Sequence, residues 1–388
     1  MIQQIPTYLL YIFIPFITAL ICSSIIPKII VLAIRKKLYD EPDNKRKIHK
    51  KVIPNLGGVA IFFAYAIVAS LVIEENFYHQ WNYLLGATLI LFAMGVKDDI
   101  ITLTHNKKFL SQIIAGIIPV CFADIRLHSL YGIFGIYELP VWFSMTFSVI
   151  GCTFMTNAFN LIDGVDGLAG TIGVLCLFML GTGFAYIGNH SATFISFAMM
   201  GAIIGFLSFN YSPARIFMGD SGALVIGFTI SVLSILFVNS YTVKAEDNLP
   251  WIIRSQNGAI ITTLAVIFIP VFDSFRVFVT RIAKGRHPFL ADRTHIHHFL
   301  LDIGFSHSHT VSTLITANLL IIAVALYVQD LNINFAIGIL LLVTLALFAV
   351  LFYMRKASIA ATERLKAQLS ESKDNLIQIQ ESVYSKQI

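Results

Sequence analysis

The chain has 388 residues, of which 57% are hydrophobic and only 13% charged, with a mean hydropathy of +0.78 and a formal net charge of +5. A water-soluble globule has about a quarter of its residues charged, so this composition excludes one and points to an all-α polytopic membrane protein. The basic excess lies in loops between apolar runs and has no nucleic-acid-binding motif behind it, so no nucleic-acid partner is expected.

A helix needs about 20 apolar residues to cross a bilayer. In chain order, eleven runs of that kind predict spans at 6–30, 56–73, 81–96, 109–124, 141–158, 167–187, 192–209, 221–239, 258–280, 311–328 and 333–354. The first run has no basic residue before it and no small-residue cleavage motif after it, which reads as an uncleaved anchor. Cytoplasmic loops collect Lys and Arg. With the N-terminus outside, the inner side holds Lys28, Arg35, Lys36, Lys37, Lys45, Arg46, Lys47, Lys50, Lys51, Lys97, Lys107, Lys108, Arg215, Arg276, Arg281, Lys284, Arg286, Arg293 and the whole C-terminal tail, and the outer side keeps only Arg126, Lys244 and Arg254 of the 27 basic residues. The N-terminus is therefore expected outside and the C-terminus inside, with Asp98, Asp163, Asp220 and His295 to His298 sharing the cytoplasmic face. Between 124 and 140 the polar and apolar residues alternate around Tyr131-Gly132 and Phe134-Gly135, a small exterior hairpin. Residues 1–354 read as one membrane-embedded domain and 355–388 as a cytoplasmic helical tail, with Leu365, Leu369, Leu376, Ile379 and Val383 at helical spacing. A solvated or membrane-surface helix and a short coiled coil both fit that tail. The four cysteines lie in or at the edge of apolar runs without paired spacing, so no disulfide frame or zinc knuckle is indicated.

Polar residues in such a chain need a reason, because a carboxylate at hydrocarbon depth costs about 2.5 to 3.5 kcal/mol on insertion scales. The stretch from Asn157 to Gly170, NAFNLIDGVDGLAG, repeats Asn157, Asn160, Asp163 and Asp166 every third residue. Its glycines allow backbone to come close to a ligand, so the D-G-x-D-G loop reads as a binding loop and not as a plain helix break. Asp98 and Asp99 close the third span; adjacent carboxylates there either share a proton or sit by a cation, although a solvated helix end also explains them. Before the eighth span, Arg215 offers a phosphate fork and Asp220 a hard oxygen ligand, while Asp220 and Ser221 also suit a helix cap. His295, His297 and His298, with Arg293, fit the oxygens of an anionic nucleotide better than a soft metal, because no cysteine lies nearby. Asp273 and Arg276 share a helix face as an internal ion pair. Lys51 is a topology charge that also suits an anionic lipid head group. His307 and His309 are read as loop residues.

The pieces GVKDDI, NAFNLIDGVDGLAG, NYSPARIFMGDSGALVIG and DRTHIHHFLLDIGF, in that order, resemble the polyprenyl-phosphate N-acetylhexosaminyl-1-phosphate transferases, over about Arg35 to Gly304. The loop DRTHIHH is similar to that of the WecA and TagO group, whereas MraY carries a different histidine loop. The resemblance implies transfer of a sugar 1-phosphate from a UDP-N-acetylhexosamine, GlcNAc first among them, to undecaprenyl phosphate at the cytoplasmic face of a bacterial membrane, releasing UMP. It also implies Mg2+, with Mn2+ as a substitute, and is compatible with a homodimer. Carried onto this chain, it makes Asp220 and Asn160 metal ligands, turns Asp166 to the uracil, and puts Arg293 and the histidines on pyrophosphate or sugar. Asp98 and Asp99 would face the lipid phosphate, Asp98 as base or positioning carboxylate in a direct attack or either residue as a phospho-aspartate in two steps. Asp163 and Asn157 would shape the site. Where an Asp-Asp-x-x-Asp pattern has its third acid, this chain has Thr102, so a prenyl-synthase diphosphate clamp is not expected.

Overall fold

The computed structural model describes residues 6–38, 53–244, 252–285 and 294–384. Their first half forms α1 (Thr7–Arg35), α2 (Gly57–Val72), α3 (Tyr78–Ile100), α4 (His105–Phe122), β1 (Ser129–Ile133), β2 (Ile136–Glu138) and α5 (Val141–Ile162). The second half forms α6 (Leu168–Tyr186), α7 (His190–Asn210), α8 (Gly219–Lys244), α9 (Gln256–Val266), α10 (Phe268–Ala283), α11 (Ile296–Ile303), α12 (His307–Val328) and α13 (Ile333–Tyr384).

Every predicted apolar run falls on a helix, with α9 and α10 sharing one. Length and apolarity alone qualify seven described helices as membrane spans, or eight if the bent pair α9–α10 is one span, and leave out α2, α3 and α4 of the expected eleven. The reasons are local. Helix α2 has only 16 residues, α3 opens on His79, Gln80 and Asn82 and closes on Lys97, Asp98 and Asp99, and α4 opens on His105, Asn106, Lys107 and Lys108. One further element differs from expectation: His297 and His298 lie on the short helix α11 and not in a loop, with His295 at its N-cap. The helical tail begins as a continuation of α13, which runs unbroken through position 354.

Helix α8 is apolar on every face, and such a helix belongs in the interior. It stands at the centre, wrapped by α2, α3, α5, α6 and α9, with 94% of its apolar window buried. The bend between α9 and α10, 64°, has a covalent origin. Pro270 has no N–H to give the carbonyl four residues back, which is Val266. That carbonyl instead accepts from Asn318 Nδ2 of α12 (3.2 Å) and from the Cys176 thiol of α6 (3.3 Å), so the break is satisfied by its neighbours. At one end of the bundle the hairpin turns through Phe134 and Gly135, both at positive φ (55° and 77°), as a two-residue turn of the I′ kind requires. Asn334 of α13 holds that turn, accepting from Phe134 N–H at 2.8 Å and donating to Gly132 O at 3.1 Å. The candidate site residues gather at the opposite end.

Helix α3 meets α8 without a spacer. A Cβ at Gly95 would fall 2.5 Å from the backbone of Ser221. Gly95→Ala should therefore push α3 off α8 and destabilise the protein by about 1–3 kcal/mol; a melting temperature in detergent equal to the wild type would show that the two helices do not pack this closely.

Candidate active site

Where α3, α4, α5 and α8 converge, acids and one ammonium are arranged around a single point. Lys108 Nζ lies 2.6 Å from Asp98 Oδ2 and 2.7 Å from Asp220 Oδ2, bridging two carboxylates that are far apart in sequence. Asn160 donates from Nδ2 to the other oxygen of Asp220 at 2.9 Å. Asp98 is fixed in turn by Leu103 N–H, which donates to its Oδ1 at 2.6 Å. Its neighbour Asp99 turns the other way, and both of its oxygens accept from the first turn of α8, from Asp220 N–H at 2.7 Å and Ser221 N–H at 3.1 Å. A carboxylate at a helix N-terminus satisfies otherwise orphaned donors and matches the helix dipole. Asp99 thus sets where Asp220 stands.

The D-G-x-D-G loop joins α5 to α6. Asp166 is buried, and its Oδ2 accepts from Ala214 N–H at 3.2 Å and lies 3.3 Å from His307 Nδ1. Next to it, Gly167 N–H donates to Asn210 Oδ1 at 2.8 Å, and Asn210 donates to Ile216 O, so this loop and the one before α8 are knitted together. His307, which the sequence suggests is a loop residue, opens α12 at the site. Asp163 lies among the acids. Burial, and then the carboxylates of Asp220, Asp99 and Asp166, push its carboxyl well above the ordinary range.

The histidines arrive on α11. Asp273 of α10 accepts from Ile296 N–H at 3.0 Å and from Arg276 at 2.7 Å, and its other oxygen lies 2.9 Å from His295 Nδ1. The Asp273–Arg276 ion pair expected from their spacing is present, and it also anchors the start of α11. His297 packs on Gly164, where a Cβ would come within 2.6 Å of Nε2, so the first glycine of D-G-x-D-G is what lets the two motifs touch. Burial, then His298 beside it, lowers the His297 imidazole to about 3, so it works as a neutral ring. Its Nδ1 is buried with no hydrogen-bond partner among the described residues.

A cavity of about 890 Å³ opens between α4, α5, α10 and α11. Its polar end is lined by Lys108, Asn157, Asn160, Asp163, Arg281, His297 and His298, and its other end by Phe109, Ile113, Ile117, Val149, Ile150 and Phe154. From sequence, Lys108 and Arg281 are topology charges only, since nothing in their own neighbourhood along the chain marks them further. Arg215 is not brought into this group: it is exposed, lies 4.8 Å over the Phe209 ring and donates to Ser208 O at 3.0 Å. Lys51 and Arg293 lie outside the described residues.

Residues 81–238 match the model of glycosyl transferase family 4. A protein of Bacillus subtilis (strain 168) named "Probable undecaprenyl-phosphate N-acetylglucosaminyl 1-phosphate transferase" is 31% identical over 299 residues, 76% of this chain and 77% of the relative. The chain belongs to glycosyl transferase family 4. Relatives from Salmonella typhi and Yersinia pestis, each named undecaprenyl-phosphate alpha-N-acetylglucosaminyl 1-phosphate transferase, are both 30% identical, over 75% and 71% of this chain and 76% and 72% of their own lengths. The stretch matched by the glycosyl transferase family 4 model runs from α3 through most of α8 and so contains Asp98, Lys108, Asn160, Asp163, Asp166 and Asp220. Asp273, α11 and His307 reach the same site from beyond it.

Among the described residues of this glycosyl transferase family 4 chain, the acids outnumber the cations beside them, and Asp163 bears the consequence. Because its folded value lies above its unfolded one, its contribution to stability is complete below the ordinary carboxylate range and is lost as pH rises through the raised value. In EDTA, the wild type should melt higher at mildly acidic than at alkaline pH, and Asp163→Asn should flatten that difference. An identical pH slope in the two proteins, read by thermal unfolding in detergent, would remove Asp163 as its source.

Proposed function

We propose that this chain transfers GlcNAc 1-phosphate from UDP-GlcNAc to undecaprenyl phosphate, giving undecaprenyl-diphospho-GlcNAc and UMP, a first membrane step of cell-surface glycan synthesis. The observation that carries this reading is a cavity with a charged head and an apolar body, which matches the two halves of a polyprenyl phosphate. The Lys and Arg asymmetry supports a site on the cytoplasmic face of the bacterial membrane, with all eleven apolar segments embedded.

The donor set fits a hard divalent cation. Asp98 and Asp220 aim one oxygen each at Lys108 Nζ, the place where positive charge is already accommodated, and the Asn160 carboxamide adjoins Asp220. Among the described residues no three His, Cys, Asp or Glu make a cage, and Mg2+ does not need one, since it takes one or two carboxylates and completes its shell with water and substrate phosphate. In this reading Asp220 and Asn160 hold Mg2+, with Mn2+ able to replace it. When bound, the ion supplies charge neutralisation for the phosphates that meet there.

The chain's own residues then have separable roles. Repulsion between a dianionic lipid phosphate and a diphosphate is the obstacle to their meeting. Lys108 offsets it at the head of the cavity, beside the point where Asp98 is pinned by Leu103. Asp98 orients the attacking phosphate, or takes the proton from its monoanionic fraction, for direct in-line attack on the β phosphorus with UMP as the leaving group. Asp99, with both oxygens committed to the α8 backbone, serves by fixing Asp220. The neutral His297, whose Nδ1 has no hydrogen-bond partner among the described residues, and His298 contact the donor's pyrophosphate or sugar. Asp166 closes the donor side with Ala214 and His307. The apolar stripe of α4 and α5 takes the prenyl chain.

Purified protein given undecaprenyl phosphate and a panel of UDP-sugars should release UMP best with UDP-GlcNAc and stop in EDTA; no UMP with any sugar, or full activity without divalent metal, would defeat the reading. Asp220→Asn should insert normally and lose roughly a hundredfold in turnover. Ile113→Ser, which makes the apolar stripe polar, should shrink the preference for a long over a short prenyl phosphate acceptor. An unchanged ratio of kcat/KM for the two acceptors would place the chain elsewhere.

A further inference from the structure

Helix α11 has only eight residues, far short of the roughly 12 to 15 at which an isolated helix becomes even marginal in water. Its position must come from what grips it. Asp273 grips the start, through Ile296 N–H and His295. The last turn is gripped from another helix. Arg355 of α13 places Nη2 at 2.8 Å and Nε at 3.0 Å from Asp302 Oδ2, and its guanidinium lies 4.0 Å over the centre of the Phe299 ring. Arg276 also contacts Phe299, 5.3 Å from the ring centre, and sits 4.8 Å over Phe348 of α13. Arg276 is in turn the residue that pairs with Asp273, which holds His295. A continuous run of contacts therefore joins α13 to the histidines: Arg355 to Phe299, Phe299 to Arg276, Arg276 to Asp273, and Asp273 to His295. Buried Phe299 ties these contacts to α11 itself.

We infer that Arg355 is a positioning residue of the transfer reaction, clamping the end of α11 through Asp302 and Phe299 so that His297 and His298 are presented at the head of the cavity. The inference rests on the transferase reading proposed above. Two features set this contact apart from an ordinary surface ion pair. Guanidinium stacking on a desolvated ring adds to the ionic contact, and Arg355 is planar where a lysine is not, so the two contacts are made by one rigid group. The residue also stands just past the apolar half of α13, and the same helix continues to Tyr384. The pose of α11 is thus set by the helix that carries the tail.

The test compares Arg355→Ala, Arg355→Lys and Asp302→Asn with the wild type, all confirmed as monodisperse in detergent. Arg355→Ala should lower kcat/KM for UDP-GlcNAc by roughly ten- to a hundredfold and leave KM for undecaprenyl phosphate unchanged, with Asp302→Asn intermediate and Arg355→Lys partly restored. Independently of turnover, diethyl pyrocarbonate should modify His297 faster in Arg355→Ala, as mapped by mass spectrometry, because the buried ring loses its fixed pose. Wild-type donor kinetics together with a wild-type modification rate in Arg355→Ala would overturn the inference. So would equal losses for the Ala and Lys variants that merely follow a lowered melting temperature. If the wild type itself releases no UMP, the transferase reading fails, while the modification rates still decide whether Arg355 holds α11.

Discussion

The arrangement of this protein's polar end is governed by repulsion among five carboxylates, Asp98, Asp99, Asp163, Asp166 and Asp220, drawn from three separate stretches of the chain. Charges a few ångströms apart interact far more strongly where water is scarce than in bulk solvent, so four of the five acids are held by donors or a cation. Asp99 is absorbed by the N-terminal donors of α8, and Asp166 by Ala214 N–H and His307. Asp98 and Asp220 share the ammonium of Lys108. Asp163 is left with the deficit, and its raised proton affinity expresses it. Among the described residues, the site holds more carboxylates than cations.

The same contacts build the fold and the site. Asp99 caps the helix at the centre of the bundle and by doing so places Asp220 at its mouth. Gly164 leaves room for His297, which brings a motif late in the chain against one from its middle. Pro270 breaks the α9–α10 pair, and the bend accompanies the turn that brings Asp273 to the start of α11. Remove the side chains at these points and both stability and the geometry at the cavity head would change together. The exception is α11, too short to hold itself, whose pose depends on helices on either side.

How much can be read from residue order alone varies with the kind of signal. Apolar runs mark every long helix, because burial in lipid or core imposes a composition that a local window detects. The hairpin at Phe134-Gly135 is visible through its alternation and glycines. Asp98, Asn160, Asp163 and Asp220 stand out because acids and amides are expensive amid hydrocarbon. Lys108, Arg281 and His307 do not, since a basic residue beside a span already has an explanation in topology and a histidine at a helix start has many. Arg215 is a different case: its residue type suits a phosphate, and in the fold it stands apart from the acid cluster, over the Phe209 ring and donating to Ser208 O. The expected eleven spans exceed the seven or eight that length and apolarity alone qualify because α2 has only 16 residues and α3 and α4 carry polar and charged residues at their ends.

Sequence by itself determined that this is a helical membrane protein of the polyprenyl-phosphate sugar-phosphate transferase kind, because hydropathy and short chemical motifs are properties of contiguous residues. It also singled out the acids that the fold gathers at one end of the bundle. Only the tertiary structure decided which acid caps a helix and which faces the cavity, that Lys108 bridges Asp98 and Asp220, and that Asp273 and Arg355 hold the histidine helix. Those assignments depend on distances between residues tens to hundreds of positions apart, and no local pattern encodes which donor reaches which oxygen until the helices have packed.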